Sequence, residues 1–228
     1  MALERLQRAG LPPAAPALRL ETNTWYNPEQ RTAVFVVPGL VGLILTMTMV
    51  MLTAMALARE RERGTMEQLI VSPVRSVELI VGKIVPYIAI GYVQMTLVFT
   101  VGSLVFRVPI VGSLALVYAI AALFIAANLA LGLAFSAVAK TQQQAMQMSF
   151  FFLLPNILLS GFMFPWEAMP GPARVISQAL PLTHFLRIIR AIVLRGAGWG
   201  DVKGEVVALA VLVAALVAMS TLRFKKKL

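Results

Sequence analysis

Long apolar runs separated by short polar segments dominate the pattern of this chain. About 20 predominantly apolar residues are enough to cross a bilayer as a helix. Five runs satisfy this length to a first approximation: residues 33–58, 84–106, 113–139, 145–164 and 206–222. The pattern therefore predicts an all-α, polytopic helical membrane protein with about five transmembrane helices, contained in a transmembrane domain over residues 33–222.

The segment 165–205 is amphipathic, and its apolar runs are too short to cross. On a helical wheel one arc carries basic side chains and the opposite arc carries aliphatic and aromatic ones. The basic arc consists of His184, Arg187, Arg190 and Arg195, and the apolar arc of Phe185, Ile188, Ile189 and Ile192. We expect an extracytoplasmic helix that either lies in the membrane interface, with its arginines reaching the headgroups, or dips in as a re-entrant helix.

The loop 59–83, RERERGTMEQLIVSPVRSVELIVGK, is the one densely charged stretch between apolar runs. Gly64 interrupts the helix that arrives from the membrane. Thr65 and Gln68 have the spacing of a capping box, and Ser72-Pro73 ends the short helix that follows. The spacing predicts a short amphipathic helix between two breaks, although an ordinary solvated loop with ion pairs four residues apart fits as well.

Three amide side chains lie within the predicted spans: Gln94, Asn128 and Asn156. Polar side chains in a membrane helix either bond to neighbouring helices or face a path for solutes. The first interpretation is favoured, and a substrate path remains the alternative.

The third span carries small residues at a spacing of four. Such a stripe allows another helix to approach closely, which predicts a helix-packing surface. Its members are Ala122, Ala126, Ala130 and Ala134, with Gly132 beside them.

Composition supports a membrane location. The chain is 59% hydrophobic and 13% charged, and the apolar share exceeds the roughly 45–50% of soluble domains. Its net charge of +10 is spread over short segments between apolar runs. That distribution is typical of the positive-inside rule and argues against nucleic-acid binding.

The sequence offers no chemistry of its own. It contains no cysteine and one histidine, and no GxxxxGK[ST] phosphate loop. We therefore expect no catalytic residues, no metal site and no cofactor in this chain, and we do not expect it to be an enzyme.

Basic residues also predict the orientation. Five Lys or Arg lie in loop 59–83 and four in the tail 223–228, which places both on the cytoplasmic side. Residues 1–32 then form an extracytoplasmic N-terminal arm. Segment 165–205 also holds five basic residues but must lie outside if all five runs cross.

Three stretches resemble the membrane-spanning permease subunits of ABC type-2 exporters, a family of multidrug, lipid and polysaccharide type. ARERERGTMEQLIVSPVRSVELIVGK resembles the family's first cytoplasmic loop. YNPEQRTAVFVVPGL resembles the entry into a span, and LSGFMFPWEAMP with LPLTHFLRIIRAIVLRG resembles a segment near the family's C-terminus. The family usually has an earlier first span and an extracytoplasmic domain, which this chain apparently lacks.

The resemblance implies that loop 59–83 contains a cytoplasmic coupling helix, which docks on a separate ABC ATPase subunit that binds ATP and Mg. The residues implied in this coupling are Glu60, Arg61, Glu62, Arg63, Gly64, Thr65, Met66 and Glu67. It also implies a homodimer or a heterodimer with a related permease, surrounded by membrane lipid, in a bacterial inner membrane.

Two other classes of function remain open. A nucleotide-independent channel or membrane scaffold would also need several spans and a basic tail. A secondary transporter is less favoured, because no Asp, Glu, Lys or Arg lies within a predicted span to carry a coupling ion.

Overall fold

The structure, a computed structural model, describes the backbone of residues 31–64 and 76–225 and the side chains of residues 31–64 and 85–220. These ranges contain seven α-helices and one short 3₁₀ turn, and no strand, which confirms the all-helical prediction. The helices are α1 (Thr32–Glu62), α2 (Ser76–Leu104), α3 (Leu114–Val138), α4 (Gln142–Leu159), α5 (Gly171–Gln178), α6 (Pro181–Arg195) and α7 (Trp199–Lys225); the 3₁₀ turn is Trp166–Ala168.

Four of the described helices have the length and apolarity needed to cross a membrane. They are Thr32–Glu62, Val85–Leu104, Leu114–Val138 and Trp199–Ser220. The chain is therefore a polytopic membrane protein, with one fewer strongly apolar span than the five that the sequence predicts.

The remaining predicted span, 145–164, forms α4 instead of a long apolar helix. This helix has 18 residues and opens with three glutamines, which lowers its apolarity. Its two ends nevertheless lie beside the two ends of α1. Gln142 is hydrogen-bonded to Glu62 at one end, and Phe162, just beyond α4, packs against Gly39 near the other. α4 thus runs antiparallel to α1 between the same two levels of the bundle.

Local sequence signals account for several helix boundaries. Ser113 caps α3 by accepting a hydrogen bond from the amide of Leu116, and Thr141 caps α4 in the same way through the amide of Gln144. Gly196 ends α6 in a left-handed conformation with φ 66°, which glycine adopts at little cost.

The core lies where α6 packs among α1, α3 and α7. The rings of Phe124 on α3 and Phe185 on α6 stack with centroids 4.1 Å apart, and both residues are fully buried. Most of α6 is buried, including His184 of its basic arc, whereas Arg187 and Arg190 are half-buried and Arg195 is exposed. α6 therefore packs into the bundle mainly through its apolar arc.

Candidate functional site

Arg61 lies in the last turn of α1, where the sequence predicts contacts with an ATPase. Its Nη1 donates to the carbonyl oxygens of Ser136 at 3.1 Å and Ala139 at 3.0 Å. These carbonyls belong to the C-terminal end of α3, where the last four carbonyls of a helix lack partners within the helix. A cation placed here also interacts favourably with the helix dipole. Arg61 is therefore a cap of α3.

Glu62 plays the corresponding part for α4. One carboxylate oxygen accepts from the backbone amide of Gln142 at 2.9 Å, and the other accepts from the Nε2 of the same residue. Arg59 completes the set, because its Nε donates to Gln142 Oε1 at 2.9 Å. A carboxylate at a helix N-terminus satisfies an unpaired amide and interacts favourably with the positive end of the dipole.

We call this set the loop-end network: Arg59, Arg61 and Glu62 of α1 with Ser136 of α3, Ala139 of the α3–α4 turn and Gln142 of α4. It gives Arg61 and Glu62 partners inside the chain, which the sequence did not reveal. The clue was weak: a glutamine run directly after a short polar turn.

The other residues of the predicted coupling set fall into two groups. Glu60 is half-buried and has an interaction partner, whereas Arg63 and Gly64 are exposed at the end of α1. Gly64 has φ 67°, consistent with the predicted helix break. Thr65, Met66 and Glu67, with the rest of the predicted coupling helix, lie outside the described residues.

The small residues of α3 face more than one neighbour. A Cβ added to Gly132 would lie 2.7 Å from Thr53 Cβ and 2.8 Å from the carbonyl oxygen of Val50, so α1 passes very close. On another side, Ser220 of α7 donates to the carbonyl of Ala130 at 3.1 Å. Of the remaining stripe, Ala134 is buried and Ala122 and Ala126 are half-buried.

The three predicted substrate-path amides lie on three different helices and have local partners. Gln94 Oε1 lies 2.8 Å from the hydroxyl of Thr48 on α1. Asn128 and Asn156 each donate to the carbonyl four residues earlier in their own helix, at 2.8 Å. Both asparagines are buried, and Oδ1 of Asn156 has no hydrogen-bond partner within the described part. Gln94 therefore contacts a neighbouring helix, whereas Asn128 and Asn156 bond within their own helices.

A second network lies at the opposite end of the bundle, and we call it the far-end network: Gln178, His184, Arg187 and Glu205. Glu205 of α7 bonds to His184 Nδ1 at 2.6 Å and accepts from Arg187 Nη1 at 2.9 Å. His184 Nε2 lies 2.9 Å from the carbonyl oxygen of Gln178. Each ring nitrogen therefore lies within hydrogen-bonding distance of an oxygen atom.

An aromatic residue extends the far-end network. The indole of Trp166 lies between two guanidinium groups, with Arg187 4.4 Å and Arg174 5.1 Å from its ring centroid. Its Nε1 donates to Ser177 Oγ at 3.1 Å. These contacts hold the 3₁₀ turn, α5 and α6 together.

Arg190 is turned into the protein instead of reaching toward headgroups. Its guanidinium lies 3.6 Å from the ring centroid of Phe35, and Nη1 donates to the carbonyl of Gly161 at 2.8 Å. Burial lowers the pKa of Arg190 to about 10, so the side chain remains charged at neutral pH. Arg190 therefore has partners within the protein for its guanidinium face and for Nη1.

No group of three His, Cys, Asp or Glu side chains within the described ranges is placed to hold a metal ion. The organised polar chemistry described above lies at the two ends of the bundle. It consists of ion pairs, caps and cation–π contacts, which serve to join helices.

The chain is similar to known membrane transport proteins. Residues 7–222 match the family described as "ABC-2 family transporter protein". The chain is 35% identical over 208 residues to the "Probable multidrug ABC transporter permease YbhR" of Escherichia coli K12, covering 91% of this chain and 56% of that protein.

Two further relatives come from the same strain. The "Inner membrane transport permease YhhJ" is 34% identical over 215 residues, with 92% of this chain and 57% of that protein covered. The "Probable multidrug ABC transporter permease YbhS" is 31% identical over 182 residues, covering 79% and 48%. The chain thus spans about half the length of these relatives, and it belongs to the ABC-2 family of transporter proteins.

Proposed function

We propose that this chain is the permease part of an ATP-driven exporter, in which separate ATPase subunits bind ATP and Mg. In this proposal the loop 59–83 receives the movement of the ATPase, and the helices convert it into export of a substrate across a bacterial inner membrane. The observation that carries it is the charged loop at the end of α1, in a chain that belongs to this transporter family. Two relatives are named as probable multidrug permeases, which favours drug-like substrates.

We further propose a pair of permeases around the substrate path, either two copies of this chain or this chain with a related one. Support comes from the similarity to both YbhR and YbhS in one bacterium. One bacterium therefore contains two different permeases that resemble this chain, which is compatible with a pair of related subunits.

The proposed orientation places loop 59–83 and the tail in the cytoplasm and the N-terminal arm outside. The Glu62–Gln142 contact supports it, because it sets the α1–α2 loop and the α3–α4 turn at one end of the bundle. α7 starts at the other end, beside α6, and runs past Ala130 toward the same end as loop 59–83. The C-terminal end of α7, at Lys225, therefore lies at that end.

Docking is tested by a charge exchange that leaves the net charge unchanged. Arg63→Glu with Glu67→Lys alters the proposed docking surface without replacing a residue of the loop-end network. We expect loss of co-purification with the ATPase, while the variant keeps the elution volume and helix content of the wild type. Glu60 and Glu62 are poorer choices for this test, since Glu62 caps α4 and Glu60 has a partner.

The matched control is Arg195→Glu with Glu167→Lys, an equivalent exchange between exposed residues at the opposite end. It should retain the ATPase. Retention of the ATPase by both variants would count against docking through this loop. Solute flux through the chain without nucleotide would instead support the channel alternative.

A further inference from the structure

We propose that Gln142 is a positioning residue that carries movement of the α1 end into α3 and α4, through the loop-end network. This inference rests on the proposed function, because the movement would originate in the ATPase. It assigns a transmitting role to the α3–α4 turn, in addition to the loop 59–83.

Gln142 bonds to α1 with every hydrogen-bonding group of its side chain and with its backbone amide. Gln142 uses its side-chain oxygen, its side-chain nitrogen and its backbone amide, and all three bond to α1. Arg59 and Glu62 are three residues apart, so they lie on one face of α1 as a donor and an acceptor. A primary amide offers the matching acceptor and donor in one side chain.

The second argument is that α1 holds both sides of the turn. Arg61 bonds to the carbonyls at the end of α3, and Glu62 bonds to the amide at the start of α4. Only residues 139–141 separate these two helices. The last turn of α1 therefore clamps the end of one helix and the beginning of the next.

The third argument is packing beneath the polar contacts. Ala54 and Ala58 of α1 form a buried cluster with Ala139 and Ala145, and each of the four is 0% exposed. Alanines let the backbones approach closely, and close packing leaves little room for independent movement.

A displacement of the α1 end would consequently move α3 and α4 as well as α1 and α2. If the α1 end were free of this turn, a push on loop 59–83 would act directly on only the two helices that it connects. The network thus extends the reach of one loop to four helices.

The test combines a mechanical and a functional readout on Gln142→Ala. Alanine removes both side-chain bonds, retains the backbone amide bond and favours helix, so the variant should fold. Spin labels at positions 63 and 147, both exposed, measure whether the α1 end and α4 move together. The matched control is Gln143→Ala, since Gln143 is an exposed neighbour outside the loop-end network.

For the wild type and Gln143→Ala we expect one narrow distance distribution. Gln142→Ala should broaden it, because losing two hydrogen bonds raises the undocked population about tenfold. Assays with the ATPase use chains without spin labels, because position 63 belongs to the proposed docking surface. In these assays Gln142→Ala should bind the ATPase as the wild type does but lose most of the permease-dependent change in ATPase rate. A purely structural role would lower binding and rate together.

Exchange of the two partners gives a further check. Gln142→Glu alone places two carboxylates face to face and should broaden the distribution, whereas Gln142→Glu with Glu62→Gln restores a donor–acceptor pair and should narrow it. Unchanged distances in Gln142→Ala would overturn the proposal. A wild type that shows the narrow distribution but binds no ATPase would refute the proposed function, and it would leave the mechanical link between α1 and the turn established.

Discussion

At the scale of single residues, Glu205 joins α7 to two basic side chains of α6. Its carboxylate bonds to His184 and Arg187, and Arg187 in turn lies over Trp166. Replacing one partner of such a group leaves the others without a counterion in a partly buried place. The carboxylate thereby holds the α5–α6 segment against the start of α7.

We predict that Glu205→Gln lowers the stability of the chain by about 1–2 kcal/mol. Hydrogen bonds to charged groups contribute about 1.5–3 kcal/mol, and the 31% exposure of this side chain reduces the effect. Thermal unfolding in detergent measures it. Glu167→Gln is the control, because Glu167 is exposed and its contact with Arg174 is made through the backbone carbonyl, which the substitution keeps. Equal melting temperatures for both variants would show that the Glu205 contacts contribute nothing.

Glu205 also shows what the sequence left open. The last apolar run begins at residue 206, so the pattern placed this acid in the preceding segment, although α7 begins at Trp199. The sequence around Glu205 does not reveal its partners, because His184 and Arg187 lie 21 and 18 residues earlier in the chain. The basic arc of α6 was visible, but the acid that neutralises part of it was not.

At the scale of helices, the apolar pattern predicted the third span closely: residues 113–139 against an observed Leu114–Val138. It was less accurate for α1, which continues through Arg59 and Glu62. Charges usually mark the end of a span, but these are stabilised by contacts with the α3–α4 turn. The pattern of apolar residues does not show which tertiary partners the charged residues will have.

Replacing a glycine by alanine should have opposite effects on stability at two positions, one where α1 packs against α3 and one on an open face of α7. Gly132→Ala should destabilise by about 1–3 kcal/mol, because its Cβ would meet Thr53 and the Val50 backbone. Gly204→Ala should stabilise by up to about 1 kcal/mol, because Gly204 is helical with open space around it and alanine favours helix.

The melting temperatures of the two alanine variants show whether close packing or helix propensity determines the effect at each position. If Gly132→Ala also raised the melting temperature, the close approach of α1 and α3 would not limit the side chain at this position. The role of the small-residue stripe in helix packing would then lose its main support.

At the scale of the whole molecule, the proposed orientation can be read with single cysteines. The chain has no cysteine of its own, so each introduced thiol reports alone. Cysteines at positions 63 and 143 should react with a membrane-impermeant reagent only from the cytoplasmic side. Cysteines at 167 and 195 should react only from the outside; labelling of all four from one side would contradict an α4 that runs from one level to the other.

The central claim is that a separate ATPase acts on this chain through loop 59–83. The most direct measurement is the rate of ATP hydrolysis by a separate ABC ATPase subunit, with and without the chain in the same lipid nanodiscs. The account predicts that the wild-type chain changes the rate and that Arg63→Glu with Glu67→Lys abolishes the change, while Arg195→Glu with Glu167→Lys preserves it. The claim would be contradicted if the wild-type chain left the rate of ATP hydrolysis unchanged in nanodiscs that contain both proteins.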